Sequence, residues 1–199
     1  MIKKIILLFL ILLLTRASAS AENSPAKWYL PSLIDDQNTK INFILDSTWH
    51  TVHGSVSGVS GLVELKDPNN PLSVLVSLEL PVEKMDTDNS SRDKKMMRVM
   101  SQEVYSTVTF KAEGLKSCTP SLVLKNKVCD DSMHGNLKIR DVEKKVELPI
   151  KITAENNSFK ISGSLSISWA EFGVEDPSIL IASVDEIVTI EFEVNISGS

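Results

Sequence analysis

Beyond residue 14 the sequence has no apolar run near the roughly 20 residues that a membrane-spanning helix needs. It has no basic run of five or more, and so lacks the electrostatic footprint of a nucleic-acid binder. It has no HExxH, GxSxG or P-loop pattern, the signatures of zinc proteases, α/β-hydrolases and phosphate-loop NTPases. Histidine is scarce: His50, His53 and His134 are the whole set. His50 and His53 are three apart, and on a strand an odd separation sends them to opposite faces, so they cannot share a metal. No catalytic residue, metal site or cofactor is expected. No 20–50-residue repeat and no low-complexity linker divides the chain.

What is present begins with a leader. Lys3 and Lys4 precede an unbroken apolar run from Ile5 to Leu14. As a helix this run reaches only about 15 Å, roughly half the hydrocarbon core. Ala17-Ser18-Ala19 and Ala19-Ser20-Ala21 are overlapping small-x-small cleavage sites. The expected organisation is therefore a cleavable secretory signal over residues 1–21, with Ala19 as the rival cleavage point, and a single domain over 22–199. An uncleaved signal anchor is the alternative. Removing Lys3, Lys4 and Arg16 lowers the basic count from 21 to 18 against 26 acids, a mature net charge of −8. Such a surface disfavours nucleic acid and anionic headgroups as partners. Cys118 and Cys129 are the only cysteines. An even count in an exported chain points to a disulfide, with free thiols or a two-ligand metal site as alternatives. A loop of this size would stabilise by about 3 kcal/mol in the chain-entropy view.

The dominant pattern after the leader has period two. Ile41, Phe43 and Leu45 share one face. Leu72, Val74, Val76, Leu78 and Leu80 alternate, as do Val146, Leu148, Ile150 and Ile152, and then Phe159, Ile161, Leu165 and Ile167. Val188, Ile190, Phe192, Val194 and Ile196 oppose Glu191, Glu193 and Asn195. Each run is a strand with one buried and one solvated face. Asp67-Pro68-Asn69-Asn70-Pro71, Arg140-Asp141 and Asn156-Asn157 are turns between them. Gly54, Gly58 and Gly61 mark bulges or bends. One segment resists this reading: Ser91 to Met100 has a Ser N-cap and strong helix formers, with Met96, Val99 and Met100 on one face. The fold class is all-β: an antiparallel up-and-down barrel of about eight strands, with one short helix around residues 91–100.

The paired carboxylates Asp35-Asp36 and Asp130-Asp131 sit in expected loops without a positioned partner, which makes acid–base catalysis a weak reading. What remains is an apolar interior without chemistry around it. A barrel of this size can enclose one ligand. Methionines on the short helix would form a pliable apolar lid, or else simply fill core space.

Several segments together resemble the YceI family. They are Trp28-Tyr29-Leu30 with Lys40-Ile41-Asn42-Phe43-Ile44; Val52-His53-Gly54-Ser55-Val56 with Val59-Ser60-Gly61-Leu62-Val63; and Arg92-Asp93 leading to Val108-Thr109-Phe110. To these are added Gly135-Asn136-Leu137-Lys138-Ile139-Arg140-Asp141-Val142 through Val146-Glu147-Leu148-Pro149-Ile150, then Phe172-Gly173-Val174, and Val188-Thr189-Ile190-Glu191-Phe192. Departures lie at Asn38-Thr39, Asp46, Ser106 and near Trp169. The resemblance implies a lipocalin-like barrel in a bacterial periplasm, binding a polyisoprenoid or similar long amphiphile for transport, storage or stress protection. On face assignment, Phe43, Met96, Met97, Met100, Phe110, Leu137, Ile139 and Phe172 are the candidates to line or gate the cavity. The expected partner is an apolar lipid; a homodimer is left open. The alternatives are a surface-acting binding module with a packed interior and a periplasmic hydrolase.

Overall fold

The computed structural model describes residues 31–67, 69–155, 158–179 and 182–197. The leader, Trp28-Tyr29-Leu30 and the Asn156-Asn157 turn lie outside these residues. The alternating segments form the strands β1 (Ser32–Ile34), β2 (Thr39–Ser47), β3 (Thr51–Val56), β4 (Ser60–Leu65), β5 (Val74–Pro81), β6 (Met85–Asp86), β7 (Thr107–Glu113), β8 (Val128–Ile139), β9 (Val142–Glu155), β10 (Ser158–Ser168) and β11 (Val184–Ser197). They make one antiparallel sheet in the order β1-β4-β5-β7-β8-β9-β10-β11-β2-β3-β6.

That order closes on itself. β1 and β2, β3 and β4, and β5 and β6 are consecutive in the chain, and each pair is one bent stave. The β3–β4 stave pairs on one side with β1–β2 (Ser32 with Val63, Ile41 with Val56) and on the other with β5–β6 (Ser60 with Glu79, Ser55 with Asp86). β11 pairs with β2, setting Ile190 opposite Phe43, and completes the ring. The barrel is the lipocalin-like, up-and-down one expected. Its eleven strands exceed the expected eight because three of the eight staves are broken.

The breaks adjoin one another. The Asp36 carboxylate accepts from the N–H of Gly58 at 2.7 Å and of Val59 at 3.0 Å. Gly58 sits at φ +69°, a left-handed bend that glycine takes without strain. The next bond in the crease runs from Ser57 N–H to the Lys84 carbonyl at 3.2 Å. Gly58 is thus the bend that the glycine pattern foretold. Gly54 has a different job: the Phe43 ring lies where its Cβ would be.

The helical expectation needs two corrections. The helix α1 spans Ser90–Val99, and Asn89, not Ser91, caps it by accepting from the N–H of Ser91 and Arg92. A second helix, α2 (Pro120–Asn126), adds to the single helix expected; Thr119 caps it and Pro120 occupies its first turn. Leu72, expected at the head of the β5 alternation, lies instead in the 3-10 turn Pro71–Ser73 and is 69% exposed. The staves alternate in direction, so α1, the 48–50 hairpin tip, Arg140-Asp141 and the 169–183 connection share one end. The opposite end carries α2 and the 66–73 loop.

Candidate functional site

The inward faces of the staves do not fill the barrel evenly. At the α1 end the interior is solid: Val82, Val99, Ile139, Ile167, Phe172 and Val174 are all buried and belong to one core. From the level of Leu80 and Val108 down to the α2 end a cavity of about 170 Å³ remains. Its wall is apolar, with Thr39 contributing the single hydroxyl, and that hydroxyl donates to the Asn38 Oδ1 at 2.9 Å. Nearly every wall residue stands on a strand. The exceptions are Leu115, Cys118 and Pro120, which come from the segment between β7 and β8 and close the α2 end.

Three phenylalanines shape the lumen by lying flat. Phe43, Phe110 and Phe192 point inward, and each ring covers a glycine of the neighbouring strand: Gly54, Gly135 and Gly163 in turn. With a side chain at any of these positions the ring would have to swing toward the axis. Phe110 and Phe192 thereby form part of the wall without crossing the cavity.

The closing segment is fastened at several points. Cys118 and Cys129 form a disulfide, which decides among the alternatives left open by the spacing. The Asp131 carboxylate accepts from the N–H groups of Cys118 at 2.7 Å, Ser132 at 2.8 Å, Ser117 at 2.9 Å and Lys116 at 3.1 Å. Burial pushes this carboxyl upward, but the four backbone bonds outweigh it and hold it below the usual aspartate range. Lys116 reaches Glu147 at 2.5 Å, and the Ser132 hydroxyl donates to the same Glu147 oxygen at 2.8 Å. The Lys116 bond is the main reason the exposed Glu147 carboxyl also sits low. Val123 of α2 is fully buried beneath the helix.

The expected lining residues fall into two groups. Phe110 and Leu137 stand in the cavity wall. Phe43, Ile139, Phe172 and the three helical methionines do not. Phe172 and Ile139 are buried in the solid end, Met100 packs against that core, and Met96 and Met97 are half-buried on α1. Periodicity named the inward faces of the strands but carried nothing about which part of the lumen is hollow. It also passed over Leu115, Cys118 and Pro120; the Thr119-Pro120 pair, a cap followed by a first-turn proline, was the available signal.

The polar motifs have structural work. Arg92 donates from Nε to the Thr87 hydroxyl at 2.8 Å and from Nη2 to the Thr87 carbonyl at 2.6 Å. Asp93 accepts from the same hydroxyl at 2.6 Å and from the Thr87 N–H at 3.0 Å. Arg92-Asp93 therefore clamps the start of α1 to the end of β6. Asp36 and Asp131, one from each acidic pair, are spent on backbone N–H groups. His50, His53 and His134 are all exposed, His50 beside Arg92 and His134 3.9 Å from Glu147. Among the described residues no helix is long and apolar enough to cross a membrane.

The YceI-like domain family matches residues 33–196. No curated protein matches the sequence significantly. Among solved structures, BcnA of Burkholderia cenocepacia superposes with a TM-score of 0.66 at 16% identity, over 80% of this chain and 96% of its own. A polyisoprenoid-binding domain from Saccharophagus degradans, implicated in plant cell wall breakdown, gives 0.65 at 12% identity, over 84% and 98%. A YceI protein of Campylobacter jejuni gives 0.58 at 17% identity, over 74% and 85%. At these identities the structures speak for the barrel alone. The family match spans most of the chain, and the protein accordingly belongs to the YceI-like domain family.

Proposed function

We propose that the chain is exported to the periplasm, loses residues 1–21, and as a single domain holds a polyisoprenoid or similar long apolar lipid inside its barrel, without catalysis and with no cofactor besides that lipid. The observation that carries this reading is the cavity. An empty apolar hole of 170 Å³ weighs against folding by roughly 4 kcal/mol at about 24 cal/mol per Å³. A fold retains such a hole at that cost where something occupies it. The absence of charge in the wall and the single, already satisfied hydroxyl suit hydrocarbon and leave a headgroup no partner inside. Each buried methylene contributes about 0.8 kcal/mol, so a chain in a dry wall binds without polar contacts. Both the family and the polyisoprenoid-binding neighbour support the ligand class.

Native mass spectrometry of protein purified from its own periplasm tests the reading. The expected result is the mass of the chain from residue 22 plus one apolar lipid. Protein that emerges bare and takes up no added isoprenoid overturns it.

A further inference from the structure

The cavity is small for a long ligand. An apolar hole of about 150 Å³ accommodates a benzene ring, so the space seen here holds about six carbons. A longer chain therefore needs part of the wall to move. The strands are poorer candidates, because all but the short β1 and β6 are hydrogen-bonded to a neighbour on both sides, and β1 is held to β4. The remaining wall is Leu115, Cys118 and Pro120, all within one segment across the α2 end. A single covalent bond, Cys118 to Cys129, ties that segment to β8.

Resting on the carrier reading, we propose that residues 114–127 are a cover over the cavity and that the Cys118–Cys129 disulfide is its redox latch, opened by a dithiol reductant to let the apolar ligand exchange. The placement of the two sulfurs fits this role. Cys118 is 1% exposed and its side chain forms part of the wall, whereas Cys129, near the start of β8, is only partly buried. An incoming thiolate attacks the Cys129 sulfur. The S–S bond breaks, and Cys118 leaves as a thiolate that takes up a proton in its apolar surroundings. The second thiol of the reductant then displaces Cys129 and becomes half of the reductant's own disulfide. Two electrons and two protons have passed to the cysteine pair.

Once the bond is open, the cover keeps separable contacts: the Asp131 carboxylate on three of its N–H groups, Lys116 on Glu147 at 2.5 Å, Gly114 N–H on the Val74 carbonyl at 2.8 Å, Leu115 N–H on the Pro71 carbonyl at 2.9 Å, the Lys127 carbonyl on the Ala154 N–H at 2.8 Å, and buried Leu115, Cys118 and Val123. The barrel itself does not depend on the bond, since β8 remains paired with β7 over His134–Lys138 and with β9 along its whole length. Reduction thus opens a local unit and leaves the ladders in place.

The test loads the mature protein with N-phenyl-1-naphthylamine, an uncharged aromatic larger than the cavity's capacity, and follows its release into phosphatidylcholine vesicles. Oxidised protein, protein reduced with dithiothreitol, and the Cys118→Ala/Cys129→Ala variant are compared. Release is expected to be about tenfold faster or more in the last two, as for opening a local unit freed from its cross-link. Thermal unfolding followed by circular dichroism should remain cooperative in all three. Release rates within twofold of one another, with probe bound in each case, overturn the latch and leave the carrier standing. Loss of the cooperative transition on reduction also overturns it, because the bond would then be holding the barrel. Failure of every form to take up the probe is the separate result that removes the carrier reading, and the latch with it.

Discussion

The Phe110 ring lies 2.7 Å from the position a Cβ on Gly135 would take. The ring thus occupies the seat that the glycine vacates, flat against β8, and the lumen stays open beside it. The Lys111 carbonyl, 2.8 Å from the same position, leaves no room for the strand to yield. Gly135→Ala is expected to drive the ring toward the axis, at a stability cost of about 1–3 kcal/mol from overpacking. Urea unfolding reads the cost, and N-phenyl-1-naphthylamine titration should show weaker uptake than in the parent protein.

Filling the hole directly should separate stability from binding. Ile161 stands in the cavity wall on β10. Ile161→Trp places an indole into empty space, so the unloaded protein should be as stable as the parent or more so, while probe affinity falls by about tenfold or more. In a fully packed interior the same substitution would instead destabilise by about 1–3 kcal/mol. Thermal unfolding and probe titration on one preparation distinguish these results.

Asp131 ties stability to pH in a definite direction. Its folded pKa is lowered, and an unfolded aspartate titrates near about 3.9. Above that value the carboxylate is ionised in both states and its contribution is complete. As pH falls below about 4 the unfolded chain takes up the proton first, and the contribution drains away until the folded carboxyl is protonated too. Asp131→Asn should cost about 1–2 kcal/mol at neutral pH and little at pH 3, so the parent and variant curves converge in acid. Urea midpoints at both pH values check this, and the difference between the curves cancels the other lowered carboxyls, Glu147, Asp176 and Glu193.

Thr87 is held by both members of Arg92-Asp93 and is almost wholly buried. Thr87→Val keeps the shape but removes the hydroxyl that donates to Asp93 and accepts from Arg92. The expected cost is about 1–3 kcal/mol for polar groups left without a partner. Amide exchange should quicken in α1 and leave β8 to β11 unchanged.

The barrel was legible in the sequence because period-two alternation reports directly which side of a strand is buried. Ile150, Ile152, Ile161, Val194 and Ile196 were placed on inward faces by that rule, and there they lie. The hollow was not legible. Whether inward side chains meet across a lumen depends on how far opposite staves stand apart, a distance between residues remote in the chain. Met96, Met97 and Met100 illustrate this: their helix matches expectation to within a residue, yet it crosses the solid end. The glycines were half legible. Gly58 is a bend, but Gly54, paired directly with Phe43, makes room for an aromatic ring, and only the register shows that pairing.

The crease through Asp36, Gly58 and Lys84 has a mechanical meaning. Elsewhere around the ring neighbouring staves are stitched by longer runs of backbone ladder, from five or six pairs between β7 and β8 or β9 and β10 to twelve between β8 and β9. Along this line the stitching gives way to a carboxylate on two amides and isolated backbone bonds. A closed tube with one soft seam changes its girth by flexing there. Once the cover has opened, any give in the wall itself should therefore fall on the first three staves rather than on β7 to β11.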